Sequence, residues 1–282
     1  MDRKKIDIAA LKDKKRRGEK ISMLTAYDYP SAKLLDEAGI DSLLVGDSAA
    51  NVVLGYRDTL PVSMDEMIML TRAVVRGAKY AFIIGDMPYM SYNVTIPDAI
   101  ANAGRFIKEA GADAVKIEGG AHVVSTLGAM VRAGIPCVGH LGLTPQTANM
   151  LGGYHVQGRD VMAAKKMVDD AVQLEDAGAI MIVLECVPDR VAGLIAAKVS
   201  VPVIGIGAGP DCDGQVLVLH DMLGFKGGYS PKFVKAYAGC AESILNAARA
   251  YHKDVTEKSF PTPEQSFAME DAEFEKLKRI VG

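Results

Sequence analysis

The 282-residue sequence is poor in the features that mark several protein classes. It has no tryptophan and only four cysteines, Cys137, Cys186, Cys212 and Cys240. These lie far apart with no C-x-x-C pair, which excludes a disulfide framework or a cysteine metal cluster and fits a reducing, cytoplasmic setting. There is no basic excess: 32 Lys+Arg stand against 35 Asp+Glu, a net charge of −3. A nucleic-acid binder would usually carry a positive surplus, so none is expected. No apolar run approaches the ~20 residues of a spanning helix. The polar first residues give no secretory signal, so neither membrane nor export is expected. No G-x-x-x-x-G-K-[ST] stretch supports phosphate chemistry of the P-loop kind. Gly205-Ile206-Gly207-Ala208-Gly209 resembles a dinucleotide turn, but Pro210 stands where the last glycine belongs. That stretch, with Gly46, Gly85, Gly119 and Gly139 beside other polar strand ends, reads instead as a glycine-lined rim where substrate approaches the backbone. The run Lys14-Lys15-Arg16-Arg17 reads as a solvated helix face rather than a nucleic-acid patch.

What is abundant is glycine, 28 residues, and its placement is regular. A helical pattern ends in Ala-Gly at Gly39, Gly111, Gly134 and Gly178, and a short apolar run follows each time. Glycine at C′ accepts the left-handed conformation that ends a helix. A continuous apolar strand then implies a sheet buried on both faces. The expected strands are 21–27, 43–47, 81–86, 114–118, 137–140, 180–185, 203–206 and 216–219. Eight strands alternating with helices predict an α/β fold, a closed (β/α)₈ barrel. The seventh and eighth strands lie too close for a full helix between them. With no linker in the sequence, one domain is expected. Residues 1–20 form an N-terminal helix anchored by Leu11 and stopped at Gly18, residues 21–260 the barrel, and 261–282 a tail with a peripheral helix.

Barrel enzymes place their chemistry at the C-terminal strand ends. Four carboxylates fall there from four strands: Asp47, Asp86, Glu118 and Glu185, with Lys116 and His140 beside them. Singly, an aspartate behind a strand is more often an N-cap, and a lone histidine a hydrogen-bonded core residue. Together, four like charges would repel and raise one another's pKa. Lys116 offsets one of them, and a divalent cation would offset two more. Oxygen ligands alone point to Mg²⁺ rather than zinc, leaving one carboxylate free as a general base.

The residues also carry a resemblance. Met23–Pro30 (MLTAYDYP), Val45–Ser48 (VGDS), Gly85–Pro88 (GDMP), Val115–Gly120 (VKIEGG), Gly139–Gln146 (GHLGLTPQ) and Gly205–Gly209 with Asp213–Gln215 are similar to the ketopantoate hydroxymethyltransferase family, over about residues 21–269. Ala49-Ala50-Asn51 departs from it, standing where Leu-Gly-Met is expected. The resemblance implies a hydroxymethyl transfer from 5,10-methylenetetrahydrofolate to 3-methyl-2-oxobutanoate, giving 2-dehydropantoate through a Mg²⁺-stabilised enolate, in pantothenate biosynthesis. It implies Asp47 and Asp86 as Mg²⁺ ligands, with Glu118 near the metal, and Ser48 and Lys116 on the substrate carboxylate. Glu185 matches the general base and His140 supports the site. The folate is expected along Gly207–Gly209, and the assembly is expected to be a homodecamer. Two other readings are a Mg²⁺-dependent lyase of the isocitrate lyase and phosphoenolpyruvate mutase type, and a non-catalytic barrel that binds 2-oxo acids. The first usually carries a Lys-Lys-Cys-Gly-His loop, which this sequence lacks.

Overall fold

The computed structural model describes residues 3–225 and 231–282. They divide into two compact units, one of residues 3–222 with 231–235, the other of 223–225 with 236–282.

The first unit is a closed barrel of eight parallel strands: β1 Ile21–Thr25, β2 Ser42–Val45, β3 Phe82–Asp86, β4 Ala114–Glu118, β5 Cys137–Gly142, β6 Met181–Glu185, β7 Val203–Ile206 and β8 Gly214–Leu217. Each pairs with the next, and β8 returns to β1 in the register Ile21 to Gly214. The expected strands are all present. The eighth starts two residues earlier than its apolar run, because its first positions are Gly214 and Gln215. Gly214 is needed there: a Cβ would lie 2.3 Å from the Ile21 carbonyl oxygen and break the seam.

Local chemistry starts and stops the outer helices. Asp28, Thr95 and Asp160 accept backbone N–H bonds as N-caps, and Ser63 forms a reciprocal capping box with Glu66. The four glycines expected to end helices all have positive φ: 91° at Gly39, 78° at Gly111, 86° at Gly134 and 100° at Gly178. The link from β7 to β8 contains no helix, as its length requires.

Two-residue alternation along the strands sorts side chains between interior and exterior. Phe82 and Ile84 of β3, Ala114 of β4, Val138 of β5 and Met181 and Val183 of β6 meet in one core cluster. Leu11 of the helix Ile8–Arg17 closes that cluster, with Ile6 and Ile8 packed against it. The helix ends at Gly18, in the left-handed conformation. Its basic run is tied down internally: Lys14 pairs with Asp41 at 2.7 Å, Lys15 with Asp213 at 2.8 Å, and Arg16 and Arg17 with Asp13.

The same alternation corrects the reading of the rim glycines. They are small because protein, not ligand, lies against them. A Cβ at Gly85 would come within 2.3 Å of the Phe106 ring, at Gly139 within 2.8 Å of Leu174, and at Gly205 within 2.9 Å of the Cys212 sulfur. Gly207 lies under Phe233 and Gly209 against Asp189, at 2.8 and 2.4 Å by the same measure.

The second unit holds the helix Cys240–Thr256, a cis peptide bond at Phe260–Pro261 and a terminal helix Asp271–Val281. Neither helix has a buried residue. Among the described residues no helix is long and apolar enough to cross a membrane.

Because Gly85 faces packed aromatic carbon, Gly85→Ala should destabilise the barrel by about 1–3 kcal/mol. Gly104→Ala, in a helix with open space around it, should instead gain about 0.5–1 kcal/mol. Denaturant midpoints of the two variants measure both. A Gly85→Ala protein as stable as the parent would return the rim glycines to a ligand role.

Candidate active site

The alternation that buries Phe82 and Ile84 carries on to Asp86, the last residue of β3. It likewise carries Ala114 on to Lys116 and Glu118, Val138 to His140, and Met181 and Val183 to Glu185. These polar side chains therefore crown the barrel interior at the C-terminal strand ends. Asp47 and Ser48 join them from the turn after β2.

The cluster is tightly connected. Lys116 Nζ lies 2.7 Å from Asp86 Oδ1, 3.4 Å from Glu118 Oε1 and 3.3 Å from His140 Nδ1. His140 spans two carboxylates, with Nδ1 3.2 Å from Glu118 Oε1 and Nε2 3.4 Å from Glu185 Oε2. The Asp47 N–H donates to Asp86 Oδ2 at 3.0 Å. Asp47, Asp86, Lys116, Glu118 and His140 are each at most 5% exposed, whereas the Glu185 side chain keeps 18%. All six predicted side chains are thus brought together, and Ser48 stands beside them with its hydroxyl 2.8 Å from the Tyr27 hydroxyl. The N-cap alternative fails for both aspartates. The short helix after Asp47 has no side-chain cap, and the helix after β3 is capped by Thr95.

Burial and neighbouring charges set the protonation of the cluster. It pushes the Asp47 carboxyl well above the ordinary range, and the charges of Asp86 and Glu118 push it further. Asp86 is raised chiefly by burial, which Lys116 opposes without cancelling. For Glu118, burial works upward, but Lys116, His140 and the Gln146 N–H outweigh it and hold the carboxyl low. Burial also disfavours a charged Lys116, yet three carboxylates overrule it and keep the ammonium firmly protonated. His140 rises to about 9, since Glu118 and Glu185 overcome both burial and the Lys116 charge.

Two residues of the cluster have no signal in sequence periodicity. Gln146 donates its backbone N–H to Glu118 Oε2 at 3.0 Å, and its amide nitrogen to Asp47 Oδ2 at 3.0 Å and the Met87 carbonyl at 2.9 Å. Its Oε1 accepts from Tyr92 at 2.6 Å. Gln146 ends the Gly139–Gln146 stretch GHLGLTPQ, the one clue to its importance, while Tyr92 lies in a loop with nothing to single it out. The Glu185 backbone is also pinned. Its carbonyl accepts from Leu143 N at 2.8 Å, and Cys186 bonds to Ile206 and Gln157. Cys186 adopts φ 50°, a left-handed conformation rare for a residue with a side chain. It is therefore a strained link beside the cluster, whereas Cys137 and Cys212 are buried in the core.

The donor set suits a hard divalent cation. Asp86 Oδ1 is buried with the Lys116 ammonium at 2.7 Å as its only partner among the described residues, an ion pair outside hydrogen-bond geometry, and Asp47 is held against like charge. Both aspartates offer oxygen, the ligand Mg²⁺ prefers. Glu118 stands beside them, with Oε1 3.2 Å from His140 Nδ1 and Oε2 accepting from the Gln146 N–H. Among the described residues, no group of three or more His, Cys, Asp or Glu side chains forms a preset metal cage.

Comparison with known proteins narrows the chemistry. Among solved structures, the phosphoenolpyruvate phosphomutase of Streptomyces platensis subsp. rosaceus aligns with a TM-score of 0.61 at 13% identity, over 98% of this chain and all (100%) of that one. A 2,3-dimethylmalate lyase of the same superfamily gives 0.57 at 15%, over 98% of each chain. At such identity the likeness establishes the barrel alone. Sequence relatives are far nearer. The 3-methyl-2-oxobutanoate hydroxymethyltransferase of Moorella thermoacetica is 55% identical over 94% of this chain and 98% of its own length. That of Syntrophomonas wolfei is 52% identical over 97% and 99%. The family model described as ketopantoate hydroxymethyltransferase matches residues 5–263. With these relatives matched nearly end to end and the charged cluster intact at the barrel mouth, the chain belongs to the ketopantoate hydroxymethyltransferase family.

Proposed function

We propose that this chain transfers a hydroxymethyl group from 5,10-methylenetetrahydrofolate to 3-methyl-2-oxobutanoate, giving 2-dehydropantoate and tetrahydrofolate, with Glu185 as the general base. The observation that carries the assignment of the base is the contrast among the four carboxylates. Asp47, Asp86 and Glu118 are sealed in and engaged, while Glu185 alone keeps an accessible side chain.

The residues divide the work. Ser48, positioned by Tyr27, and the Lys116 charge hold the carboxylate end of the 2-oxo acid. Asp47 and Asp86 would hold Mg²⁺, with Glu118 close by. The ion supplies Lewis-acid polarisation of the keto group when bound. Glu185 removes the C3 proton, and the electron pair of that C–H bond delocalises onto the keto oxygen as an enolate. His140, with Nε2 3.4 Å from Glu185 Oε2, supports the base by charge rather than by a hydrogen bond. C3 then bonds to the methylene carbon of the folate, whose carbon–nitrogen bonds break. One water supplies the hydroxyl oxygen, and the folate nitrogens regain their protons. Gln146 and Tyr92 touch no reacting atom; they hold Asp47 and Glu118 in place.

Deuterium exchange without folate isolates the first step. In D₂O with Mg²⁺, the protein should exchange the C3 hydrogen of 3-methyl-2-oxobutanoate, and no exchange would overturn the enolate route. Glu185→Gln should slow exchange by ~10²–10⁴-fold, the usual contribution of a general base; an unchanged rate removes Glu185 from that role.

Chelation should stop exchange, and added Mg²⁺ should restore it. Exchange that persists in a chelator would rule the metal out of the step.

Gln146→Ala strips Asp47 of its amide donor while leaving Glu185 untouched. The Mg²⁺ concentration for half-maximal exchange should rise by ~10–100-fold, as for other supports of a metal ligand. A purely structural role would lower the amount of active protein without moving that midpoint.

A further inference from the structure

The acceptor and the base account for the carboxylate cluster, but the one-carbon donor needs a place of its own. The rim at Gly207–Gly209 is filled by Phe233 and Asp189. A different cavity, of about 330 Å³, opens between the loop after β2 and the loop after β5. That size lies at the lower end of ligand sites, ~300–1,000 Å³.

We infer that this cavity, walled by Gln146, Tyr154, Asp58 and Arg57, binds the reduced pterin end of the folate donor. The inference rests on the hydroxymethyl transfer proposed above. Gln146 is the common wall: it lines the cavity and also donates to Asp47 and Glu118 in the cluster. A donor seated there has its transferable carbon beside the acceptor site. Tyr154 stands at the same junction. Burial raises its hydroxyl pKa, and the charges of Asp58, Asp47, Glu185 and Glu118 raise it further, so cavity wall and reacting carboxylates both lie within its electrostatic reach.

The chemistry of the wall fits a pterin and not the 2-oxo acid. Tyr154, 61% exposed, presents an aromatic face on which a flat heterocycle stacks. Asp58 gives Oδ1 to the Leu60 N–H. A carboxylate has about four lone-pair sites on two oxygens, so Asp58 can still take the adjacent amino and ring N–H donors of the aminopyrimidinone edge, one on each oxygen. Exposed Arg57 supplies a cation for the carboxylates of the glutamate tail. A branched-chain 2-oxo acid has neither a ring nor an N–H group and would use none of these.

The test uses the full chain with Mg²⁺ and three substitutions, Tyr154→Ala, Tyr154→Phe and Arg57→Glu. Tetrahydrofolate, the released product, is titrated by calorimetry, and steady-state kinetics give KM for each substrate. Tyr154→Ala and Arg57→Glu should each weaken tetrahydrofolate binding and raise the donor KM by about tenfold, the effect of losing one stacking or charged contact. Their KM for the 2-oxo acid should stay within about twofold, and Tyr154→Phe should restore donor binding because it keeps the ring. Unchanged tetrahydrofolate affinity in both disruptive variants, with folate-free exchange intact in the parent, overturns the cavity assignment and leaves the hydroxymethyl transfer standing. Loss of folate-free exchange in the parent protein overturns the transfer reading itself.

Discussion

The buried ammonium of Lys116 is the constraint on which the site depends. It lies within 3.4 Å of both Asp86 and Glu118 and is itself almost fully buried. Three carboxylates packed at the mouth of a barrel without a cation would repel one another or bind protons. Lys116 and His140 compensate Glu118 fully enough to hold its carboxyl low, while Asp47 remains raised. The imbalance is directional: repulsion is least compensated at Asp47, which burial and the charges of Asp86 and Glu118 raise most. A divalent ion beside Asp47 and Asp86 would relieve that repulsion.

The barrel makes that cluster possible through its two-residue alternation. The interior row that holds Phe82 and Ile84 at depth holds Asp86 at the rim, so burial and chemistry occupy the same face of a strand at different heights. The opposite row carries the glycines. Gly85 under Phe106 and Gly139 under Leu174 let the outer helices approach the sheet closely. What resembles a flexible, ligand-facing rim in the sequence is the inner surface of a tight helix–sheet interface. This packing supports the rigidity a preorganised site requires.

The helix-ending glycines were legible because their role is local: each needs a positive φ, and only the adjoining residues determine it. The eight strands were legible because burial on both faces leaves an uninterrupted apolar run. The exception, the start of β8, shows the limit, since Gly214 and Gln215 join the strand through barrel closure and carry no apolar signature. The charged cluster was legible for a related reason. A polar residue that ends an apolar run at a strand terminus is placed by topology as soon as the barrel is recognised.

Sequence alone therefore determined the strand count, the helix stops and the set of six charged groups at the barrel mouth, since each depends on patterns a few residues long. Only the tertiary structure decided which groups face which. It brought Gln146, distant in sequence from Asp47, into contact with both Asp47 and Glu118. It left Glu185 open while sealing the other three carboxylates, and it turned the glycines toward Phe106, Leu174 and Phe233. Those outcomes depend on loop paths and on packing between distant segments, where one side chain's neighbours come from strands and helices that no local pattern connects.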